Sequence, residues 1–166
     1  VANGKKIDLY RQYHKNQALY PGNTLEEHSP LIANLIAQHD VETVLDYGCG
    51  KGYQYTKHMV HKQWGVIPVL YDPAVPEFDE KPIGTFDMVL CTDVLEHVPE
   101  DELGGILGEI RAYTEKLAFF SVCTRKAMAV LPNGENAHCT IKRQGWWIET
   151  IRSEFPDELV EIVFSR

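Results

Sequence analysis

Three groups of residues in this chain have types and spacing suited to chemistry. The first is Val44-Leu45-Asp46-Tyr47-Gly48-Cys49-Gly50-Lys51-Gly52, an apolar strand start, an acid, and three glycines at alternate positions. Such glycines let the backbone pass close to a ligand with no side chain in the way, so the run reads as a cradle for a nucleotide-like molecule. The spacing is G-x-G-x-G. The third glycine of the dinucleotide fingerprint would fall on Tyr53, which points away from NAD. The second group is Asp72 after Val66-Ile67-Pro68-Val69-Leu70-Tyr71, where a strand-end acid can accept hydrogen bonds from a ribose diol or simply close a turn. The third comprises Asp93, His97 and His138, of which His138 ends the turn-rich run Leu131-Pro132-Asn133-Gly134-Glu135-Asn136-Ala137-His138. An imidazole there titrates in the range useful for moving protons. His58 and His61 have no third ligand nearby, and the cysteines at 49, 91, 123 and 139 have no ligand spacing, so no metal site is expected.

Alternating strands and helices must position these groups. Strands are expected over residues 43–46, 66–71, 86–91, 117–123 and 159–164, with helices over 53–63, 100–114 and 146–155. Residues 1–23, with Tyr10, Tyr13, His14 and Tyr20 before the turn signal Pro21-Gly22-Asn23, read as a capping arm, either a lid or a helix resting on the sheet. Thr24 and Glu27 form a capping-box pattern, and Ser29-Pro30 offers a second helix start. The helix they open carries Leu31, Ile32, Leu35 and Ile36 on one face and ends near Gln38. Gly104, Gly105 and Gly108 weaken the helix over 100–114, which close packing against a neighbour would explain. Trp147 fits an apolar stripe with Ile151 and Phe155, leaving Trp146 either to face the cleft and stack on a flat or sugar substrate or to lie half-buried at the helix start. This alternation implies an α/β fold with a mostly parallel sheet, and ligands bind such sheets at the carboxyl ends of the strands, where the strand order reverses.

The chain has 166 residues, enough for one domain that buries roughly 70% of its unfolded surface. No run approaches the ~20 apolar residues of a membrane span, and Val1-Ala2-Asn3-Gly4-Lys5-Lys6 has no signal-peptide core, so a soluble, cytoplasmic protein with reduced thiols is expected. The net charge of −8 is unevenly spread. Residues 72–109 hold eleven acids against Lys81, while 111–152 hold seven basic residues against Glu115, Glu135 and Glu149. Either these are ordinary solvated faces, or Arg125, Lys126, Lys142 and Arg143 attract an anionic substrate. A duplex-binding surface would be far more basic.

Leu45-Asp46-Tyr47-Gly48-Cys49-Gly50-Lys51-Gly52, Tyr71-Asp72-Pro73 and the run from Phe86 to Val98, in this order and spacing, resemble class I S-adenosylmethionine-dependent methyltransferases. The Leu131–His138 run followed by Trp146-Trp147 resembles compact phage and bacterial methyltransferase-like proteins. The resemblance implies a Rossmann-like fold and S-adenosylmethionine as cofactor. It places Asp46, Gly48 and Gly50 along the methionine part of the cofactor, Asp72 at the ribose hydroxyls and Thr92, Asp93, Val94 and Leu95 below the reacting methyl, with Tyr47, Cys49, Tyr71, Pro73 and Cys91 as further cofactor contacts. Two departures from the family pattern stand out. Only residues 73–85, including Pro76 and Pro82, separate the ribose acid from the Phe86 strand, so the family's third strand is expected to be missing and Phe78 or Asp79 to help build the adenine pocket. A single candidate strand ends the chain, so a trimmed sheet of about five strands is expected, in the family order 2-1-4-5 plus one.

Methyl transfer from a sulfonium needs an in-line nucleophile, exclusion of water, and often a base. His138 is the first candidate for base or substrate ligand, and Asp93 the second unless it caps the following turn; His97 reads as structural. Asn136, His138 and Trp146 are the candidate substrate contacts. Cys91-Thr92-Asp93-Val94 lacks the Pro-Pro-aromatic run of base amino-group methylation, and no Pro-Cys nucleophile for cytosine carbon methylation is present. A small-molecule or sugar-containing acceptor is therefore favoured. A nucleic-acid or protein acceptor is the second reading, and a cofactor-binding regulatory subunit or lyase the third.

Overall fold

The computed structural model describes residues 4–15 and 25–165. The expected Pro21-Gly22-Asn23 turn, Tyr20 and the Thr24 half of the capping box lie outside them. Five strands form one sheet: β1 (Val44–Tyr47), β2 (Val69–Tyr71), β3 (Phe86–Thr92), β4 (Thr114–Cys123) and β5 (Val160–Ser165). The order is β2-β1-β3-β4-β5 and every neighbouring pair is parallel, so the trimmed five-strand Rossmann-like sheet is observed. Residues 73–85 contain no strand or helix, as expected for a chain without the family's third strand.

The strands alternate two apolar faces, the period-2 pattern of a sheet covered on both sides. Leu45, Val89, Cys91, Ala118, Phe120 and Val122 pack under α4 (Leu103–Tyr113) and α5 (Gln144–Arg152). Val44, Met88, Leu90, Leu117 and Phe119 pack under α2 (Leu25–Gln38) and the 3₁₀ turn Val60–Gln63. Trp147, Ile151 and Phe155 are buried in the first core, and Phe155 meets Phe120 edge-on at 5.3 Å.

Several elements differ from expectation for identifiable reasons. The helix over 53–63 breaks into a single turn, α3 (Tyr53–Thr56), and the 3₁₀ turn, because Met59 adopts a left-handed φ of 56°. The bend lets Val60 and Trp64 reach α2, where the Trp64 indole N–H donates to Ser29 Oγ (3.0 Å) and Ser29 O (3.2 Å). Ser29-Pro30 does not start a helix, since α2 runs through it from Leu25. β2 is shorter than 66–71, with Pro68, which has no N–H to donate, immediately before its first residue. Close packing does not explain the glycines of α4: Gly104 and Gly105 are exposed, and a Cβ on Gly104 or Gly108 would meet nothing within 4 Å. α4 stops at Tyr113 because Thr114 enters β4 at once, its hydroxyl donating back to Ile110 O at 2.8 Å.

Between β1 and its neighbours the chain first moves out to β2 and then crosses to β3, so the carboxyl ends of β1 and β3 open a crevice at the reversal point. Among the described residues no helix is long and apolar enough to cross a membrane.

Phe120 is fully buried between β4's neighbours and Phe155. Phe120→Ala should cost about 3–5 kcal/mol, read as a lower denaturant midpoint with an unchanged slope.

Candidate active site

The crevice is walled by the β1 glycine turn, Asp72-Pro73-Ala74 after β2, Thr92-Asp93-Val94 after β3, the helix α1 (Gly4–Lys15), and the segment from Ala127 to His138. The glycine turn is held from below. Gly48 N–H and Cys49 N–H both donate to Tyr71 O (2.7 and 3.1 Å), and Gly50 N–H donates to Asp72 Oδ2 (2.9 Å). Three successive amides are thus already used within the protein and offer no cluster of N–H groups to a pyrophosphate, in keeping with the reading against NAD. Gly48 has φ +87°, and a Cβ there would lie 2.3 Å from a Val94 methyl; Gly50 has φ +56° and faces open space. The turn therefore presents bare backbone to the crevice at Gly50 and packs tightly on Val94 at Gly48.

Asp46 lies behind this wall, fully buried. The Tyr55 hydroxyl donates to its Oδ2 at 2.7 Å and Gln54 Nε2 at 3.5 Å, while Oδ1 has no partner. Burial raises its pKa to about 6 against the pull of those bonds. Gln54 does reach the crevice wall, so Asp46 acts on the site through it. Asp72 is itself 8% exposed and lines the crevice. Its Oδ1 accepts from Ala74 N–H (2.8 Å); burial raises its pKa and the Ala74 and Gly50 bonds oppose the rise.

Of the residues expected around the cofactor, Tyr47, Gly48, Cys49, Gly50, Asp72, Pro73, Thr92, Asp93 and Val94 share the crevice wall. Asp46, Tyr71 and Cys91 do not, because their side chains are buried in the protein, Tyr71 serving the turn through its carbonyl. The Phe78 ring lies 3.3 Å from where a Cβ on Gly52 would be, and exposed Asp79 pairs with Arg11 of α1 at 3.4 Å; neither is in the wall.

On the acceptor side, His138 is in the wall, whereas Asn136 and Trp146 are not. The Asn136 amide closes its own loop, accepting from Ala127 N–H and His138 N–H and donating to Ala127 O. Trp146 packs against the first core and Trp147, with Lys142 over its ring at 5.0 Å. Asp93 does not cap the 3₁₀ turn after it; its Oδ1 accepts from the Ser165 (2.8 Å) and Ser121 (3.3 Å) hydroxyls, and its φ is +53°. Lys142 is paired with Glu100 at 2.7 Å, and Arg125 and Lys126 are exposed.

His97 and His138 meet edge-on at 4.7 Å. Each Nδ1 sits at a carbonyl oxygen, Ala137 O at 2.9 Å and Arg125 O at 2.5 Å. A carbonyl only accepts, and the Tyr10 hydroxyl that lies 3.0 Å from His97 Nδ1 gives its hydrogen to Ala137 O, so both Nδ1 atoms carry the proton and each Nε2 keeps a bare lone pair. Burial holds His97 neutral, its pKa lowered to about 4, with His138 adding to the effect. Glu96 lies beside them at 0% exposure; burial, reinforced by Asp93, raises its pKa to about 8.

Residues of α1 that line the crevice include Lys6, Ile7 and Tyr13, and the Tyr10 hydroxyl donates to Ala137 O at 2.6 Å. Tyr13 is buried against Leu131 and Ala137. The described part of the N-terminal segment, α1, is thus a helix that forms one wall of the crevice. Glu96 went unremarked in the sequence. Its signal was an acid inside the apolar run Val94-Leu95-Glu96-His97-Val98, an expensive place for a charge without a partner.

Two outcomes test this geometry. Gly48→Ala should destabilise the fold by about 2–4 kcal/mol, because left-handed backbone strain adds to the Val94 clash. Asp46 binds its proton more tightly folded than unfolded, so stability is lost as pH rises through about 4 to 6. Denaturation of Asp46→Asn and wild type at about pH 4 and pH 7 should show their difference moving by up to about 3 kcal/mol in the variant's favour at the higher pH. An unchanged difference would contradict a carboxyl group whose proton is held by burial.

The sequence has no match among curated proteins. A family model described as a methyltransferase domain matches residues 16–160, spanning the glycine turn, the Asp72 tip and the imidazole pair. The chain therefore belongs to the methyltransferase-domain family and is an S-adenosylmethionine-dependent methyltransferase of class I.

Proposed function

We propose that the enzyme moves the methyl group of S-adenosylmethionine to a small-molecule or sugar-containing acceptor that binds in the crevice beside His138. The observation carrying this reading is that one crevice has two chemically different banks. The glycine turn and Asp72 form the cofactor bank, and the bare imidazole nitrogens of His97 and His138 form the acceptor bank.

The cofactor bank suits a nucleoside carrying an amino-acid tail better than one carrying phosphates. Asp72 brings a carboxylate for the ribose hydroxyls, Gly50 gives close backbone approach, and the turn's amides are already bonded within the protein. When bound, the cofactor supplies a methyl group on a positively charged sulfur, which leaves readily once a nucleophile is aligned. The protein's work is positioning, exclusion of water and handling of the acceptor's proton. Thr92 and Val94 line the crevice from the end of β3, and Ile7 and Tyr13 line it from α1. His138 meets the acceptor: its Nδ1–H is fixed to Arg125 O, which aims a proton-accepting nitrogen without freedom to change tautomer. Cover by α1 and the net charge of −8 favour a compact acceptor over a duplex.

Calorimetry should find stoichiometric binding of S-adenosylmethionine and S-adenosylhomocysteine, weakened roughly 10- to 100-fold in Asp72→Ala, the loss expected for a charge-assisted hydrogen bond. His138→Ala should lower methyl transfer by about 100-fold or more while leaving cofactor affinity nearly unchanged. Weakened cofactor binding with normal turnover at saturation would refute the role given to His138.

A further inference from the structure

We propose that Glu96, His97 and His138 form a binding site for a first-row divalent transition-metal cation at the acceptor bank of the crevice. One nitrogen from each imidazole and one oxygen of the carboxylate lie within 4.8 Å of one another, the one such group of three among the described residues. Each of the three side chains is anchored through its other polar atom to backbone. His97 Nδ1–H donates to Ala137 O, His138 Nδ1–H donates to Arg125 O, and Glu96 Oε1 accepts from Cys123 N–H at 2.8 Å. This leaves a lone pair on each Nε2 and, on Glu96, an Oε2 that is completely buried with no hydrogen-bond partner.

That oxygen is the observation a structural role does not explain. An ionised buried carboxylate with one oxygen unpartnered is costly, and protonation of that oxygen would leave its O–H without an acceptor. A cation satisfies the oxygen in the ionised form and both imidazoles in their neutral tautomers. Carbonyl groups behind ligating histidines are the usual outer support of such sites, fixing the tautomer and the ring orientation.

Two imidazoles and one carboxylate suit zinc, manganese, iron, cobalt or nickel in the divalent state better than magnesium or calcium, which prefer oxygen ligands throughout. In a bound site with ~2.1 Å bonds the ligand atoms would lie about 3–3.5 Å apart, so capture draws the three side chains slightly together. Three protein ligands leave at least one coordination position open, and His97 and His138 line the crevice, so a metal-bound water or acceptor atom would sit inside it. With the cation present, His138 acts on the acceptor through the metal. The site does not depend on which methyl donor or acceptor the enzyme uses.

The test uses the full, untagged chain stripped of metal with a chelator, dialysed against Zn²⁺ or Co²⁺ and assayed for bound metal, with the absorption of Co²⁺ reporting its ligands. One equivalent per chain is expected, with cobalt bands characteristic of nitrogen and oxygen ligation. Glu96→Gln, which keeps an oxygen for Cys123 N–H, and His138→Ala should each weaken binding by about tenfold or more. The metal-free melting temperature of each variant shows whether it is folded, and a variant that fails to fold is replaced by His97→Gln. No saturable binding by wild type at micromolar metal, or equal affinity in the folded variants, would overturn the site. S-adenosylhomocysteine binding measured on the same samples separates the two readings, because loss of one leaves the other unaffected.

Discussion

The hydrogen bonds that tie the glycine turn to the tip of β2 are the constraint on which the rest of the structure depends. Gly48 and Cys49 donate to Tyr71 O and Gly50 donates to Asp72, so the turn after β1 and the acid after β2 are one rigid unit. Without side chains at 48 and 50 the turn can lie flat against Val94 on one side and open onto the crevice on the other. The reversal of strand order next to β1 then places the end of β3 opposite, which creates the crevice. Every wall residue discussed above takes its position from this unit or from a segment packed across from it.

The carboxyl edge of the sheet collects ionisable groups that the cores exclude. Asp46, Asp72, Glu96 and His97 are each shifted chiefly by burial toward the neutral form. A fold seeking only stability would replace them with apolar residues of similar size. Their concentration on one edge, with unpartnered oxygens on Asp46 and Glu96, is the pattern expected where binding or catalysis sets the local requirements. The apolar clusters beneath, around Phe120 and Trp147 on one face and Phe119 and Trp64 on the other, hold the edge in place.

The sheet and its order were legible because the signals that encode them are local. Val44-Leu45, Val69-Leu70, the Phe86 run and the Leu117 run each carry strand periodicity, and the family's motif order supplies the topology. The break at Met59 was not legible, since it serves a distant contact between Trp64 and Ser29 that no local pattern announces. The site divided in the same way. Residues presented by backbone turns, such as Gly48, Gly50 and Asp72, could be placed from spacing alone. Asn136 could not: its amide is spent on Ala127, a hydrogen bond within a loop whose shape follows from α1 and Leu131 packing together. Glu96 was hidden because its importance lies in a missing partner, which only the folded neighbourhood reveals.

The central claim is that the cofactor occupies the crevice built on the glycine turn and Asp72. Amide hydrogen exchange with and without S-adenosylhomocysteine tests it most directly. Slower exchange confined to peptides covering residues 48–54, 72–74 and 92–98 is the predicted result. Protection elsewhere with none in these segments, or no protection at saturating ligand, would contradict the account.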